Sequence, residues 1–108
     1  MAFRVLFIAH APDAEKDKHR GSIDTGMYQL HSVVVKNQVE AIEVSKEYVS
    51  VHKVDCILLC PGFTNLEVAQ ISENVGKKVA VGVCRGDGPG NRITKDARKR
   101  EGYPLKKK

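Results

Sequence analysis

The stretch 54–67 constrains the fold of this 108-residue chain more than any other part of the sequence. Residues 54–60 are a short apolar run, typical of a buried strand, and Pro61–Gly62 is a turn signal. Thr64 and Glu67 have the spacing of a capping box, which predicts that a helix begins directly after Thr64. A strand, a tight turn and a capped helix in this order are typical of the ligand-facing corner of a parallel α/β sheet.

The rest of the chain predicts an α/β fold with four strands and two main helices. The strands are expected at 3–9, 27–35, 54–60 and 78–84, and the helices at 38–52 and 65–75. Asn37 and Glu40 have the spacing of a capping box at the start of the first helix. Because β-α-β steps are parallel and right-handed, the pattern favours a small, mainly parallel, flavodoxin-like sheet in the order 2-1-3-4. The polar residues 10–26 are expected to form a long connection. The alternation at the start of 27–35 predicts an edge strand with His31 on the surface.

The positive charge of the chain is concentrated at its end. Residues 92–108 contain eight Lys or Arg and two acidic residues, whereas residues 1–91 contain ten Lys or Arg and eleven Asp or Glu. We therefore expect a single, nearly neutral α/β domain over 1–91 and a basic, flexible tail over 92–108. Only Tyr103 offers an aromatic ring for base stacking in the tail, which argues against nucleic acid as a partner.

Apolar runs and cysteine content indicate the compartment. No apolar run approaches the roughly 20 residues of a membrane span, so we expect no contact with a membrane. The sequence has three cysteines and no recognisable secretion signal. An odd number of cysteines in such a chain is typical of reduced thiols in a cytoplasmic protein.

Four strand-to-loop junctions are expected at one edge of the sheet, where open parallel sheets bind ligands. The candidate ligand-binding residues at these junctions are His10, Gly62, Phe63, Thr64, Cys84, Arg85 and Asp87. The start of the second helix has free backbone N–H groups that favour an anion, and a neighbouring Arg85 has the forked charge that suits oxyanions. The alternative is that Thr64 and Glu67 satisfy those N–H groups themselves.

Two cysteines and a histidine allow a second interpretation of the same edge. Cys60, Cys84 and His10 each end a predicted strand, so a thiol nucleophile with His10 as its base is one hypothesis. A metal site is not predicted, because the sequence has no closely spaced cysteine pair. No cofactor is predicted either, since Gly86-x-Gly88 lacks the third glycine of a dinucleotide fingerprint, follows the last strand instead of the first, and precedes no helix with an apolar face.

Three segments of the chain resemble a family of short prokaryotic proteins catalogued only as a domain of unknown function. They are residues 37–47, the Cys-Ile-Leu-Leu-Cys-Pro-Gly-Phe segment 56–63 and the Val-Gly-Val-Cys-Arg-Gly-Asp-Gly segment 81–88. The resemblance extends over about residues 3–90 and implies a small Rossmann-like domain, but no activity, cofactor or catalytic residue. The basic tail departs from the family pattern, and Pro61 stands where a second glycine is common.

These observations favour a binding module for a small anionic ligand. The alternatives are a thiol-dependent enzyme that uses Cys60 or Cys84 with His10, and a subunit whose role is assembly alone. Two firm helices leave much of a parallel sheet uncovered, and parallel sheets bury both faces. The missing layer can come from the 10–26 connection, the basic tail or a partner, and we expect a homodimer or a higher homo-oligomer.

Overall fold

The computed structural model describes residues 2–84 and 90–103. Their order along the chain is β1 (Phe3–His10), β2 (Arg20–Asp24), β3 (Tyr28–Val35), α1 (Gln38–Ser50), β4 (Cys56–Leu59), α2 (Asn65–Val75), β5 (Ala80–Val83) and α3 (Asn91–Arg100). The mixed α/β class is therefore confirmed. Both main helices lie where the sequence predicts them, and α1 ends two residues early.

The strands form one five-stranded sheet in the order β2-β3-β1-β4-β5. The predicted count of four strands is wrong. The four expected strands are β1, β3, β4 and β5, and they are mutually parallel in the order β3-β1-β4-β5. The fifth, β2, pairs antiparallel with β3, so 27–35 is an internal strand and not the predicted edge.

Strand β2 lies in the segment expected to be a connection. Its residues are Arg-Gly-Ser-Ile-Asp, of which only Ile23 is a large apolar side chain, and four of the five are exposed. A strand at the edge of a sheet and exposed on both faces has no apolar alternation, so no local pattern indicates it. The strand exists because its backbone groups pair with those of β3.

Helices α1 and α2 cover the same face of the sheet. In register across the sheet, the buried Leu6 and Ile8 of β1 lie beside Val33 of β3 and Ile57 and Leu59 of β4. These side chains form one core with the helix and turn residues Ala41, Val44, Tyr48, Phe63 and Ile71. Two successive right-handed crossovers in the same direction place both helices on one side, so the other face has neither of them.

The two main helices begin at the expected caps. Thr64 Oγ1 accepts from the Glu67 N–H (3.2 Å), and Glu67 Oε1 accepts from the Thr64 N–H (2.9 Å), which is a complete capping box. At α1, Asn37 Oδ1 accepts from the Glu40 N–H. The Glu40 carboxylate accepts from the Lys36 N–H instead of that of Asn37, so this second box is displaced by one residue.

Helix α3 begins the segment predicted as a basic tail. Five of its ten residues are Lys or Arg, and all except Ala97 are exposed. Ile93, its one large apolar residue, is 73% exposed. The helix therefore contributes little to the core, while the flexible character of 92–108 stays a prediction.

Candidate functional site

The carboxyl ends of the parallel strands meet at one edge, as the topology predicts. Ile8, Leu59 and Val83 are in register across β1, β4 and β5. Beyond them, the Cys60 N–H donates to the Ile8 carbonyl (3.0 Å), and the Cys84 N–H donates to the Leu59 carbonyl (2.8 Å). His10, Cys60 and Cys84 are thus brought to the same edge from three strands.

The ring of His10 stacks on the ring of Phe63. Their centroids are 3.9 Å apart and their planes differ by 25°. Phe63 follows the turn after β4, where its N–H donates to the Cys60 carbonyl, and its side chain belongs to the core with 4% exposure. One side of the half-buried His10 imidazole therefore rests on a fixed apolar platform.

Gly62 lies between the thiol of Cys60 and the imidazole of His10. A Cβ atom built on Gly62 lies 3.6 Å from Cys60 Sγ and 3.6 Å from His10 Nδ1. Both polar atoms therefore border the same small space. Gly62 does not have a positive φ, so its backbone conformation does not require glycine. Its missing side chain leaves this space open.

The backbone donors expected to hold an anion at the start of α2 are partly engaged. The Phe63 N–H donates to the Cys60 carbonyl, and the Thr64 N–H donates to the Glu67 carboxylate. The protein's own carboxylate thus satisfies part of the helix start, as the alternative interpretation of the sequence expects. A ligand at this corner has to be recognised mainly by the side chains around Gly62.

Two of the remaining predicted site residues, Thr64 and Cys84, lie at the same edge of the sheet. Thr64 is half-buried and acts as the cap, and Cys84 is half-buried beside the end of β4. Arg85 and Asp87 lie outside the described residues. The structure therefore brings together His10, Cys60, Gly62 and Phe63, and the place of the two charged residues stays a prediction.

A second polar cluster, which the sequence interpretation missed, lies between β3 and the end of α1. His31, Tyr48 and His52 are in mutual ring contact, with centroid distances of 4.4–5.2 Å. His31 is therefore not the surface group expected of an edge strand. Burial lowers the pKa of His31, and the nearby His52 and Arg4 lower it further. The only local signal was the i, i+4 spacing of Tyr48 and His52, which places them on one helix face.

Arg20 joins β2 to this cluster. Its Nη1 donates to Glu47 Oε2 (3.1 Å) and to the Tyr48 hydroxyl (3.2 Å), and its guanidinium lies 5.5 Å from the centroid of the Tyr48 ring. Nε donates to the Lys16 carbonyl (2.7 Å). These contacts attach the exposed edge strand to α1, which indicates a structural role for this arginine.

Cys56 lies outside the core beneath α1 and α2, although a cysteine within an apolar strand is usually a core residue. Cys56 is the first residue of β4, is half-buried, and lies on the sheet face that the helices do not cover. Burial and the neighbouring Asp55 both raise the pKa of this thiol. None of the three cysteines is in a disulfide.

An open depression of about 360 Å³ lies at the connection between β1 and β2, apart from the His10 corner. Three lysines and three acidic residues line it together with Ala14: Lys16, Lys18, Lys36, Glu15, Asp17 and Glu40. The balanced charges give it no preference for an anion, so the corner remains the better candidate. Within 2–84 and 90–103, no group of three His, Cys, Asp or Glu side chains is arranged to hold a metal ion.

Comparison with known proteins identifies a family and no close relative. None of the helices in the described part of the chain is long and apolar enough to cross a membrane. No curated protein and no solved structure matches the chain. A family model described as "Family of unknown function (DUF6506)" matches residues 3–97, which extends the expected similarity into α3. The chain therefore belongs to this family of unknown function, DUF6506.

Proposed function

We propose that this protein binds a small anionic molecule at the corner formed by His10, Cys60, Gly62 and Phe63. The observation that carries the proposal is the shared space at Gly62, which His10 Nδ1 and Cys60 Sγ both border at 3.6 Å from a Cβ position. A ring N–H of His10 can donate to an anion there, and the Phe63 platform holds the orientation of the ring. The missing side chain of Gly62 leaves room for a ligand to approach.

The position of the corner supports the same proposal. It lies beyond the carboxyl ends of β1 and β4, which are neighbours in the parallel part of the sheet. Open α/β sheets of the Rossmann and flavodoxin type bind ligands at this edge. We also propose that the domain is Rossmann-like. Arg85 and Asp87 are proposed as further ligand contacts on sequence grounds. We also propose a cytoplasmic location, which suits three reduced thiols.

A thermal-shift screen with phosphorylated metabolites and small organic acids tests the proposal. A ligand at about 100 times its dissociation constant adds about 2.7 kcal/mol to the free energy of unfolding, so a true ligand raises the melting temperature by several degrees. We expect Gly62→Val to abolish the shift by filling the space, and His10→Gln to reduce it. Arg85→Ala is expected to weaken binding with less effect on the melting temperature.

The matched control is His19→Gln, because His19 is an exposed histidine in the connection between β1 and β2. It should keep the full ligand-induced shift. The proposal fails if no compound raises the melting temperature, or if Gly62→Val and His10→Gln respond to the ligand as fully as the wild type. In either case the corner is only a turn.

A thiol-dependent reaction is the second candidate, and the placement of Cys60 Sγ and His10 Nδ1 around Gly62, each 3.6 Å from its Cβ position, favours it. An imidazole that accepts the thiol proton raises the fraction of reactive thiolate. We expect iodoacetamide to modify Cys60 faster than Cys56 at pH 7, and His10→Gln to slow the modification of Cys60 alone. Equal Cys60 rates in the wild type and in His10→Gln would remove this candidate. The rate at which iodoacetamide modifies Cys84 is measured in the same experiment.

A further inference from the structure

The sheet face opposite α1 and α2 has no charged side chain. In register across the sheet, its positions are Phe3, Val5, Phe7 and Ala9 of β1, Gly21 and Ile23 of β2, Tyr28, Leu30, Ser32 and Val34 of β3, Cys56 and Leu58 of β4, and Ala80 and Gly82 of β5. We call this set the open face. Only the Ser32 and Tyr28 hydroxyls and the Cys56 thiol are polar, so the face has the composition of a buried surface.

Three large side chains at one end of the open face are nevertheless accessible, whereas Val5 near its middle is only 1% exposed. Ile23 is 64% exposed, Phe3 is 51% exposed and Tyr28 is 37% exposed. Met27, in the turn beside them, is 82% exposed. Solvated faces of sheets carry alternating polar residues, whereas faces of parallel sheets are covered by another layer. Phe3, Met27 and Tyr28 adjoin one another, and adjoining exposed apolar side chains mark an interaction surface.

The chain itself has little left with which to cover this face. Helices α1 and α2 pack on the opposite side, and α3 leaves Ile93 73% exposed. The residues outside the described ranges are Met1, 85–89 and 104–108, and only Met1 and Leu105 among them are large apolar side chains. In the part of the chain that the structure describes, α1 and α2 lie on the other face and α3 is almost wholly exposed, which points to another molecule as the third layer.

We infer that the open face is the interface of a two-fold homodimer in which the sheets of two copies pack face to face. An isologous contact needs protrusions and hollows within one and the same patch. The open face has both. One row across the five strands reads Gly21, Ser32, Phe7, Leu58 and Gly82. Phe7 on the central strand is the protrusion, and the small residues towards both ends of the row are the hollows. The Phe7 ring of one copy fits over the small residues of its partner.

Size and charge agree with a second copy as the occupant. Five strands spaced about 4.8 Å apart, and up to about seven residues at about 3.3 Å each, give a face on the order of 500 Å² in projection. Two such faces reach the roughly 1,000 Å² that a specific interface needs. Because the face carries no charge, two identical copies meet without like-charge repulsion, whereas a charged partner finds nothing to pair with.

Sedimentation velocity on the full chain, over about 1 to 100 μM, tests the inference through the concentration dependence of association. We expect the wild type to sediment as a dimer of the 11.9 kDa chain. Ile23→Glu and Phe3→Glu each place a carboxylate in the interface, and we expect them to raise the dissociation constant at least about 100-fold. Both positions are more than half exposed, so the monomer has room for the new side chain.

The matched controls are Val39→Glu and Leu66→Glu. Both are exposed apolar residues, 67% and 69% respectively, on the helices and away from the open face. They should leave the dimer intact. The inference is wrong if the wild type stays monomeric over the whole range, or if the two control variants dissociate the assembly as strongly as Ile23→Glu does.

Thiol labelling gives a second readout that does not depend on the oligomer mass. Cys56 lies on the open face, whereas Cys60 and Cys84 follow the carboxyl ends of β4 and β5. We expect a maleimide to label Cys56 more slowly in the wild type than in Ile23→Glu, with equal rates for the other two cysteines. Equal Cys56 rates in the two proteins would contradict burial of this face, whatever the ligand screen finds at the His10 corner.

Discussion

His10 and Phe63 stack with 3.9 Å between their ring centroids, although one ends β1 and the other precedes α2. The contact joins the ends of two neighbouring strands. Phe63 is 4% exposed and belongs to the core, whereas His10 is half-buried. The phenyl ring thus acts both as a core side chain and as the support of the candidate ligand-binding histidine.

This double role predicts a large effect of Phe63→Ala on stability. Removing a buried phenyl ring costs about 3–5 kcal/mol in the free energy of unfolding, whereas Phe63→Leu, which retains most of the volume, should cost less than about 1.5 kcal/mol. Denaturant unfolding measures both. Leu66→Ala, at a site that is 69% exposed, should change the stability by less than about 0.5 kcal/mol. A loss in Phe63→Ala no larger than in Leu66→Ala would contradict the burial.

The capping box of α2 predicts a smaller loss. Thr64→Ala removes the acceptor for the Glu67 N–H, and loss of such a cap costs about 1 kcal/mol, within a range of about 0.5–2. For a domain of this size the melting temperature should fall by about 4–8 °C per kcal/mol. Thr64→Ser keeps the hydroxyl and should retain most of the stability. An equal loss in both variants would show that the methyl group matters and the hydrogen bond does not.

The lowered pKa of His31 predicts loss of stability in mild acid. Burial is the main cause, His52 and Arg4 add to it, and Asp24 opposes it. Because the folded pKa is below the unfolded value of about 6.5, the unfolded chain binds more protons. This contribution is therefore fully present above about pH 6.5 and is lost as the pH falls from there through the folded pKa.

Denaturant midpoints at pH 7.5 and 5.5 measure this effect. We expect the midpoint of the wild type to be lower at pH 5.5, and His31→Gln to reduce the difference between the two pH values. Leu66→Gln, which lies at a position of α2 that is 69% exposed and introduces no titratable group, should keep the difference of the wild type. If His31→Gln keeps it as well, other titrating groups are responsible for the pH dependence.

The contacts of Arg20 predict that this residue holds β2 in place. Arg20→Ala loses the bonds to Glu47, Tyr48 and the Lys16 carbonyl. Because Glu47 is 41% exposed, solvent screens the ion pair, and we expect a loss of about 1–2 kcal/mol. Hydrogen exchange should quicken in β2 before it does in β1. Arg92→Ala in the exposed α3 is the control, and unchanged exchange in β2 would show that the strand needs no anchor.

Local sequence signals determined the elements that depend on neighbouring residues. The Thr64–Glu67 box and Asn37 marked both helix starts because a cap satisfies N–H groups within three residues. The apolar runs in 54–60 and 78–84 marked β4 and β5, because strands buried within a parallel sheet are continuous in hydrophobicity. The parallel order β3-β1-β4-β5 then followed from the right-handed crossover.

Only the tertiary structure decided what depends on residues distant in sequence. Strand β2 forms by pairing with β3 and carries no apolar alternation of its own. His31 leaves the surface because β2 covers the edge of β3, and it then meets Tyr48 of α1 and His52, which follows the end of that helix. The stack of His10 on Phe63, and the sheet face left without a helix, likewise arise from packing between strands and helices. Periodicity along the chain reports which side chains share a face, but only the assembled sheet determines what lies against that face.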